Sequence, residues 1–319
     1  MKRREFMLAA GAGALASMGV MAQESSQQIT IYVPFAPGGP LDVLARVLGE
    51  EIRSKTGKVV IIDNRPGAGG QLAGNAVKQS QPGSLSLFIG DWAILGSNAA
   101  LYKNFSYDPL KDFQPITALA SFPMVLYINA SNPASSIEEL IAQSKKRGLS
   151  YASQGQGTAG HLLGIMLQSK FNADLVHIPY RGSAPAMQDL LANNVDILFD
   201  ALPAGYQHVA GGRLKALAVM SDHRSSLLPN VPTASEIGAG DLNMDVWFGV
   251  VARKGLSEST MSTLNEEFVN ALNSKTVVAR FKGMGFDVTP MSIERFDAYM
   301  KSEFKRWSEL IKRHDISVN

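Results

Sequence analysis

Ile29-Thr30-Ile31-Tyr32-Val33, then Pro34-Phe35-Ala36-Pro37-Gly38-Gly39, then Pro40-Leu41-Asp42-Val43-Leu44 is the stretch that decides the fold. The first five residues read as a short β-strand, the prolines and glycines break it, and a helical pattern starts at Pro40. Leu41, Leu44, Leu48 and Ile52 recur at spacings of three and four, on one helix face, and Gly57 is a C-cap after Arg53 and Lys55. The elbow has a physical use. Glycines let backbone N–H groups approach a ligand closely, and the helix N-terminus behind them favours an anion.

The same unit recurs outward along the chain. Residues 59–63 form an apolar strand, 64–70 a second elbow (Asn64-Arg65-Pro66-Gly67-Ala68-Gly69-Gly70) and 71–79 a helix. A strand over 85–90 ends at Asp91-Trp92, and a long extended piece over 116–129 reads as a first crossing between two domains. Strands over 149–153, 175–179, 195–199 and 214–220, with helices over 161–171 and 184–192, repeat the grammar. Residues 245–251 cross back, and helices over 257–273 and 292–314 cover the first domain. Alternating strands and helices imply parallel sheets with helices on both faces, and ligands on such sheets sit at the carboxyl ends of the strands. The expected organisation is 23–124 with 246–319 as one α/β domain, 125–245 as a second, and a hinged cleft between them.

Residues 1–22 are expected to lie outside the fold. Lys2-Arg3-Arg4 is a basic start, 6–20 an apolar run rich in Ala and Gly, and Val20-Met21-Ala22 a small-residue cleavage site, the pattern of an export signal by a general or a twin-arginine route. This stretch holds three cations and one anion, so without it the formal charge of +2 falls to zero. The apparent basicity therefore says nothing for nucleic acid or acidic membranes. With no cysteine, disulfides, thiolate metal sites and cysteine nucleophiles are excluded. Apolar content of 45% and charged content of 18% suit a globular protein, here read as soluble, exported and monomeric.

Gly155-Gln156-Gly157-Thr158-Ala159-Gly160 has the G-x-G-x-x-G form of a dinucleotide loop. A dinucleotide site also needs an acidic residue at the end of the following strand, and here that strand ends at Tyr180-Arg181. Arg181 would favour a 2′-phosphate, so an exported nucleotide-dependent oxidoreductase stays open as an alternative. The same glycines equally let Ser153, Thr158 and nearby amides face a carboxylate. His161 starts a helix beside the loop, where it touches ligand or supports the loop; His177 alternates with Val176 and Ile178 and reads as packing. Asp42 either offsets the helix dipole or contacts ligand at the pocket mouth. Arg65 either pairs bidentately with a ligand carboxylate or fixes its turn by an ion pair. Trp92 and Trp247 either floor the cleft or pack its border. No metal, no cofactor and no catalytic set is assigned.

Taken in order, Tyr32-Val33-Pro34-Phe35-Ala36-Pro37-Gly38-Gly39-Pro40-Leu41-Asp42 and Asp63-Asn64-Arg65-Pro66-Gly67-Ala68-Gly69-Gly70 resemble the Bug family, the solute-binding proteins of tripartite tricarboxylate transporters. Ile178-Pro179-Tyr180-Arg181-Gly182-Ser183-Ala184-Pro185-Ala186, Leu228-Pro229-Asn230-Val231-Pro232-Thr233 and Trp247-Phe248-Gly249 fit too, and the resemblance spans nearly the whole chain after residue 22. It implies a periplasmic, non-enzymatic, two-domain α/β binding protein of type II (Venus-flytrap) topology. Such a protein closes on a small organic acid and delivers it to membrane permease subunits. It implies ligand contacts at Phe35, Ala36, Pro37, Gly38, Gly39 and Asp42, at Arg65 and Gly69, and at Ser153, Gln154, Gly157 and Thr158. Tyr180, Arg181 and Gly182, with Asp200 and Ala201, complete the far wall.

Two departures matter. Asp91-Trp92 stands where the family usually has small residues, and Gln154 replaces a residue that is commonly small. If Trp92 faces the cleft it stacks on a planar ligand, and Asp91 there disfavours a second carboxylate. These positions point to aromatic or amide-bearing monocarboxylates as much as to dicarboxylates, and away from tricarboxylates. A periplasmic sensor binding the same ligand is the remaining alternative.

Overall fold

The structure is a computed structural model that describes residues 28–314 and 316. The expected export signal and its cleavage site lie outside the described residues.

The order begins β1 (Ile29–Val33), α1 (Pro40–Thr56), β2 (Val60–Asn64), α2 (Gln71–Lys78) and β3 (Leu85–Asp91). Alternate residues of β1 are buried, and α1 buries Leu41, Leu44, Leu48 and Ile52, as their spacing predicts. Gly57 ends α1 at φ 72° with its N–H on the Arg53 carbonyl. After β3 a π-helical turn, Ala93–Ser97, runs into the single turn α3 (Asn98–Leu101), where the sequence reading has no element. Next come β4 (Phe113–Asn129), α4 (Ile137–Arg147), β5 (Leu149–Ser153), α5 (Ala159–Phe171), β6 (Leu175–Pro179), α6 (Ser183–Leu191), β7 (Ile197–Ala201), α7 (Leu202–Ala210) and β8 (Leu214–Val219). The chain continues through β9 (Asp245–Arg253), α8 (Glu258–Leu272), α9 (Lys275–Gly283), β10 (Asp287–Val288) and α10 (Ile293–Arg313). α10 buries Phe296, Met300, Trp307 and Ile311 on one face.

β4 is the spine. Its residues Phe113 to Pro123 pair antiparallel with β9, while Met124 to Ile128 pair with β7 and Val125 to Asn129 with β8. The first half-sheet continues β9-β3-β1-β2 and the second β7-β5-β6, so one twisted sheet is shared by two halves. Where β4 changes partners, three buried methionines close a ring of backbone bonds. Met124 N–H donates to the Met244 carbonyl (3.2 Å), Met244 N–H to Met220 (2.7 Å) and Met220 N–H to Met124 (2.8 Å).

Asp245 opens β9 beside this ring, opposite Pro123. Burial pushes its carboxyl up to about 6; His223 opposes the shift, while Asp222, Glu303 and Asp287 add to it. A carboxyl whose folded pKa lies above its unfolded value holds a proton that the unfolded chain has released, so its contribution to stability is lost as pH rises from about 4 to about 6. Asp245→Asn is therefore expected to be the more stable protein at pH 7.5, by on the order of 1–2 kcal/mol, and no more stable at pH 4. Urea denaturation at both pH values checks this.

Candidate ligand-binding site at the strand ends

β2 lies on one side of β1 and β3 on the other, all three parallel, so the chain reverses its winding at β1 and β3. β6 and β7 flank β5 in the same way. Each half thus has a switch point, and the elbows stand at the carboxyl ends of these strands, where open α/β sheets take ligands.

The helices differ in how they begin. α4, α8, α9 and α10 start behind Ser136, Ser257, Ser274 and Ser292, each accepting a backbone N–H on its side chain. α1, α2, α5, α6 and α7 begin behind the elbows with no side-chain cap. The first N–H groups of a helix have no partner within it, so these five starts need acceptors from elsewhere. In α1 a carboxylate is already in place: Asp42, 2% exposed, accepts from Gly38 N–H at 2.8 Å, from Arg46 at 2.9 Å and from Asn64 at 2.9 Å. Burial pushes the Asp42 carboxyl up, and the bonds from Arg46, Gly38 and Asn64 together hold it below the usual carboxylate range. Of its two sequence readings, the dipole and loop anchor is the one the structure takes. Asp200, 3% exposed, covers α6 by accepting from the Ser183 hydroxyl and α7 by accepting from Ala201 N–H at 2.8 Å. α2 and α5, one in each half, are left with neither cap nor acidic residue in the first turn.

Around α2, Gly69 and Gly70 are required by space. A Cβ on Gly70 would lie 2.9 Å from Ile94, and one on Gly69 3.0 Å from the Tyr102 hydroxyl. Arg65 is committed to Asp63 (2.9 Å) and lies over the Tyr32 ring at 4.9 Å, so it fixes its turn. Phe35, Ala36, Pro37 and Gly38 are exposed on the neighbouring elbow, with Gly39 half-buried, and Asn64 donates to the Phe35 carbonyl to join the two loops.

The end of β3 corrects the sequence expectation. Trp92 is 5% exposed and packs on Trp307 with ring centroids 5.2 Å apart, so it does not floor a cleft. Asp91 turns back on its own chain and accepts from Ala93 and Ile94 N–H at 3.0 and 2.9 Å. Burial raises its carboxyl, against those bonds. Trp247 is likewise packed, edge-on to Phe296 at 5.8 Å.

Around α5, the loop is built tightly. A Cβ on Gly160 would meet the Phe199 carbonyl at 2.7 Å, so this glycine seats the helix on β7, a packing reason for the last glycine of the motif. Thr158 donates its hydroxyl to the Gly155 carbonyl (2.7 Å), and Gln154 donates to the Phe199 carbonyl (2.7 Å). Ser153, expected at the ligand, is fully buried: its hydroxyl donates to the Gly155 carbonyl and meets His177 Nε2 at 2.7 Å. His161, also expected there, lies beneath the loop and takes Gly157 N–H on Nδ1 at 3.0 Å. His177, read as packing, also bonds Ser153, a contact that the β5–β6 register brings about by setting His177 opposite Tyr151. Tyr180 donates to Asp189 at 2.5 Å, and burial first, then this bond, pushes its hydroxyl up to about 12. Arg181 is exposed, and Gly182 N–H donates to the Gln154 carbonyl at 3.1 Å, which ties the β6 elbow to the β5 elbow.

Residues 44–316 match the model of the tripartite tricarboxylate transporter family receptor, TctC. The chain belongs to the TctC family. BugT of Bordetella pertussis is 33% identical over 306 residues, covering 93% of this chain and 94% of that one. Two solved structures are similar to it: R. palustris Rpa4515 with adipate (29% identity, 91% and 98% of the chains, TM-score 0.77) and MatC from Rhodopseudomonas palustris with bound malate (28%, 89% and 98%, TM-score 0.73). The fold is the α/β type II arrangement of periplasmic binding proteins such as BugD, to which the chain is 33% identical with a TM-score of 0.73. Among the described residues no helix is long and apolar enough to cross a membrane.

The packing role of Trp92 is testable. Trp92→Phe keeps a ring but loses contact with Trp307, and is expected to cost a fraction of the roughly 3–5 kcal/mol of a full truncation while leaving carboxylate affinity unchanged. Chemical denaturation paired with calorimetric titration of the folded protein measures both.

Proposed function

We propose that this TctC-family protein is a periplasmic receptor that captures a small organic acid between the starts of α2 and α5 and delivers it to membrane permease subunits of a tripartite transporter. The carrying observation is the contrast in helix starts: the outer helices are sealed by serine, whereas α2 and α5 stand at the two switch points with no side-chain cap and no acidic residue in the first turn, Gln71 N–H at the head of α2 meeting only the Ala68 carbonyl of its own elbow. A carboxylate supplies the acceptors they lack and is favoured by both helix dipoles. Glycine at φ +62° and +90° beside α2, and at +79° beside α5, brings the backbone close enough to serve as the contact surface. We take 23–124 with 246–319 and 125–245 as the two lobes. Closure is driven by contacts a ligand makes with both lobes at once. Adipate and malate, held by the two similar structures, are the first acids to test.

A thermal-shift screen across mono-, di- and aromatic carboxylates tests the reading, since a ligand at a hundredfold excess over Kd adds about 2.7 kcal/mol. Thr158→Asp sharpens it. Aspartate is a better helix N-cap than threonine, so α5 and the unliganded protein are expected to keep or gain stability, by up to about 1 kcal/mol. Its carboxylate then occupies the anion seat, and the ligand-induced shift is expected to vanish. A variant that still shifts like the parent removes α5 from the site.

A further inference from the structure

The glycine loop before α5 hangs from a stacked pair of histidines. The His161 and His177 rings lie 4.1 Å apart at 19°, and the Tyr151 ring continues the stack 4.8 Å from His177. One histidine holds one point of the loop: Gly157 N–H donates to His161 Nδ1 at 3.0 Å. The other holds a second point through a serine. Ser153 gives its hydroxyl proton to the Gly155 carbonyl and takes Gly155 N–H at 3.2 Å, so its oxygen accepts from His177 Nε2–H at 2.7 Å. Gly157 assigns the His161 imidazole as neutral with its proton on Nε2, and Ser153 puts a proton on Nε2 of His177.

The groups facing this pair are few. α5 packs on β5, β6, β7 and the turn Gly240–Leu242. The titratable groups on those elements are Tyr151, whose hydroxyl donates to the His161 carbonyl; His177 itself; Asp200, committed to Ser183 and Ala201; and Asp241, ion-paired to Lys170 at the far end of α5. Among the described residues no carboxylate hydrogen-bonds either ring. His161 is 8% exposed and lies in the first turn of its helix, where a positive charge opposes the dipole.

We propose that His161 is a positioning residue and a proton-gated latch: its neutral ring holds Gly157 N–H and keeps the loop in ligand-accepting shape, and a proton on Nδ1 sets two N–H donors against each other and frees the loop. This rests on reading the α5 start as a carboxylate seat, and adds that acid loosens the seat. Burial lowers the affinity of both rings for a proton, His177 to about 4, with His161 adding to the effect there. The fold therefore favours the neutral pair, and the latch is whole above about 6.5 and is lost as pH falls through the lowered midpoint of His161. The opposing effect is attraction between an imidazolium and the bound acid. The ring faces Gly157 and His177 beneath the loop rather than the seat above it, so the loss of loop geometry outweighs that attraction.

Two measurements test the latch. In 15N-labelled protein taken from pH 8 to pH 5, the Gly157 amide resonance is expected to move with the same midpoint as the His161 ring nitrogens. In His161→Asn, whose Oδ1 can stand where Nδ1 stood and does not titrate, it is expected to stay still; in His161→Leu it is expected to lose exchange protection at every pH. A Gly157 amide that ignores the titration of His161 overturns the proposal. With adipate and malate as probes, the affinity of His161→Asn relative to the parent is expected to rise about tenfold between pH 7.5 and one pH unit below the midpoint read from the His161 ring nitrogens, a ratio in which the ligand's own titration cancels. A flat or falling ratio also overturns it. If neither acid binds the parent at any pH while Gly157 titrates as stated, the carboxylate reading fails and the latch stands.

Discussion

A helix that begins inside a fold brings N–H groups that nothing in the helix can accept, and the way this chain meets that demand shapes everything else. On the outer layer a serine does it at each of four helices. At the carboxyl ends of the parallel strands the preceding residues are instead Gly39, Gly70, Thr158, Gly182 and Ala201, without a side-chain bond. Left without acceptors, such starts cost free energy in a partly buried site. Once filled by an anion they bind strongly, because dipole and hydrogen bonds act together.

The carboxylates of the chain narrow the choice of seat. Asp42 anchors the loop ahead of α1, Asp200 takes the Ser183 hydroxyl of α6 and the Ala201 N–H ahead of α7, and Asp91 caps the π-helical turn. Cations near the elbows are matched in turn, Arg46 with Asp42 and Arg65 with Asp63. Recognition in the proposed seat is left to the backbone, in keeping with two similar proteins that hold different acids, adipate and malate.

Much of this was legible in the sequence because local rules and tertiary packing agree. The strands over 29–33, 149–153 and 175–179 fall where alternation and glycine breaks put them. Elements the sequence reading passed over have weaker local signals. α4 is the exception: Ser136 caps it with Glu139 three residues on, and Ile137, Leu140 and Ile141 recur at spacings of three and four on its buried face. α7 follows directly on β7 without a loop, and β10 has only two residues. At the site, loops were readable and side-chain directions were not. Trp92 at a strand end suggests an aromatic floor, yet its direction depends on Trp307, 215 residues later. Ser153 and His177 become partners only because β5 and β6 lie side by side.

The ring of Met124, Met220 and Met244 constrains how the halves can move. Each of the three segments both gives and receives a bond at one level, so none slides lengthwise without losing two bonds at once. Swinging about that level keeps all three. In the proposed closure the mouths of α2 and α5 travel towards each other along a fixed arc, and the length of whatever bridges them sets the angle at which the swing stops.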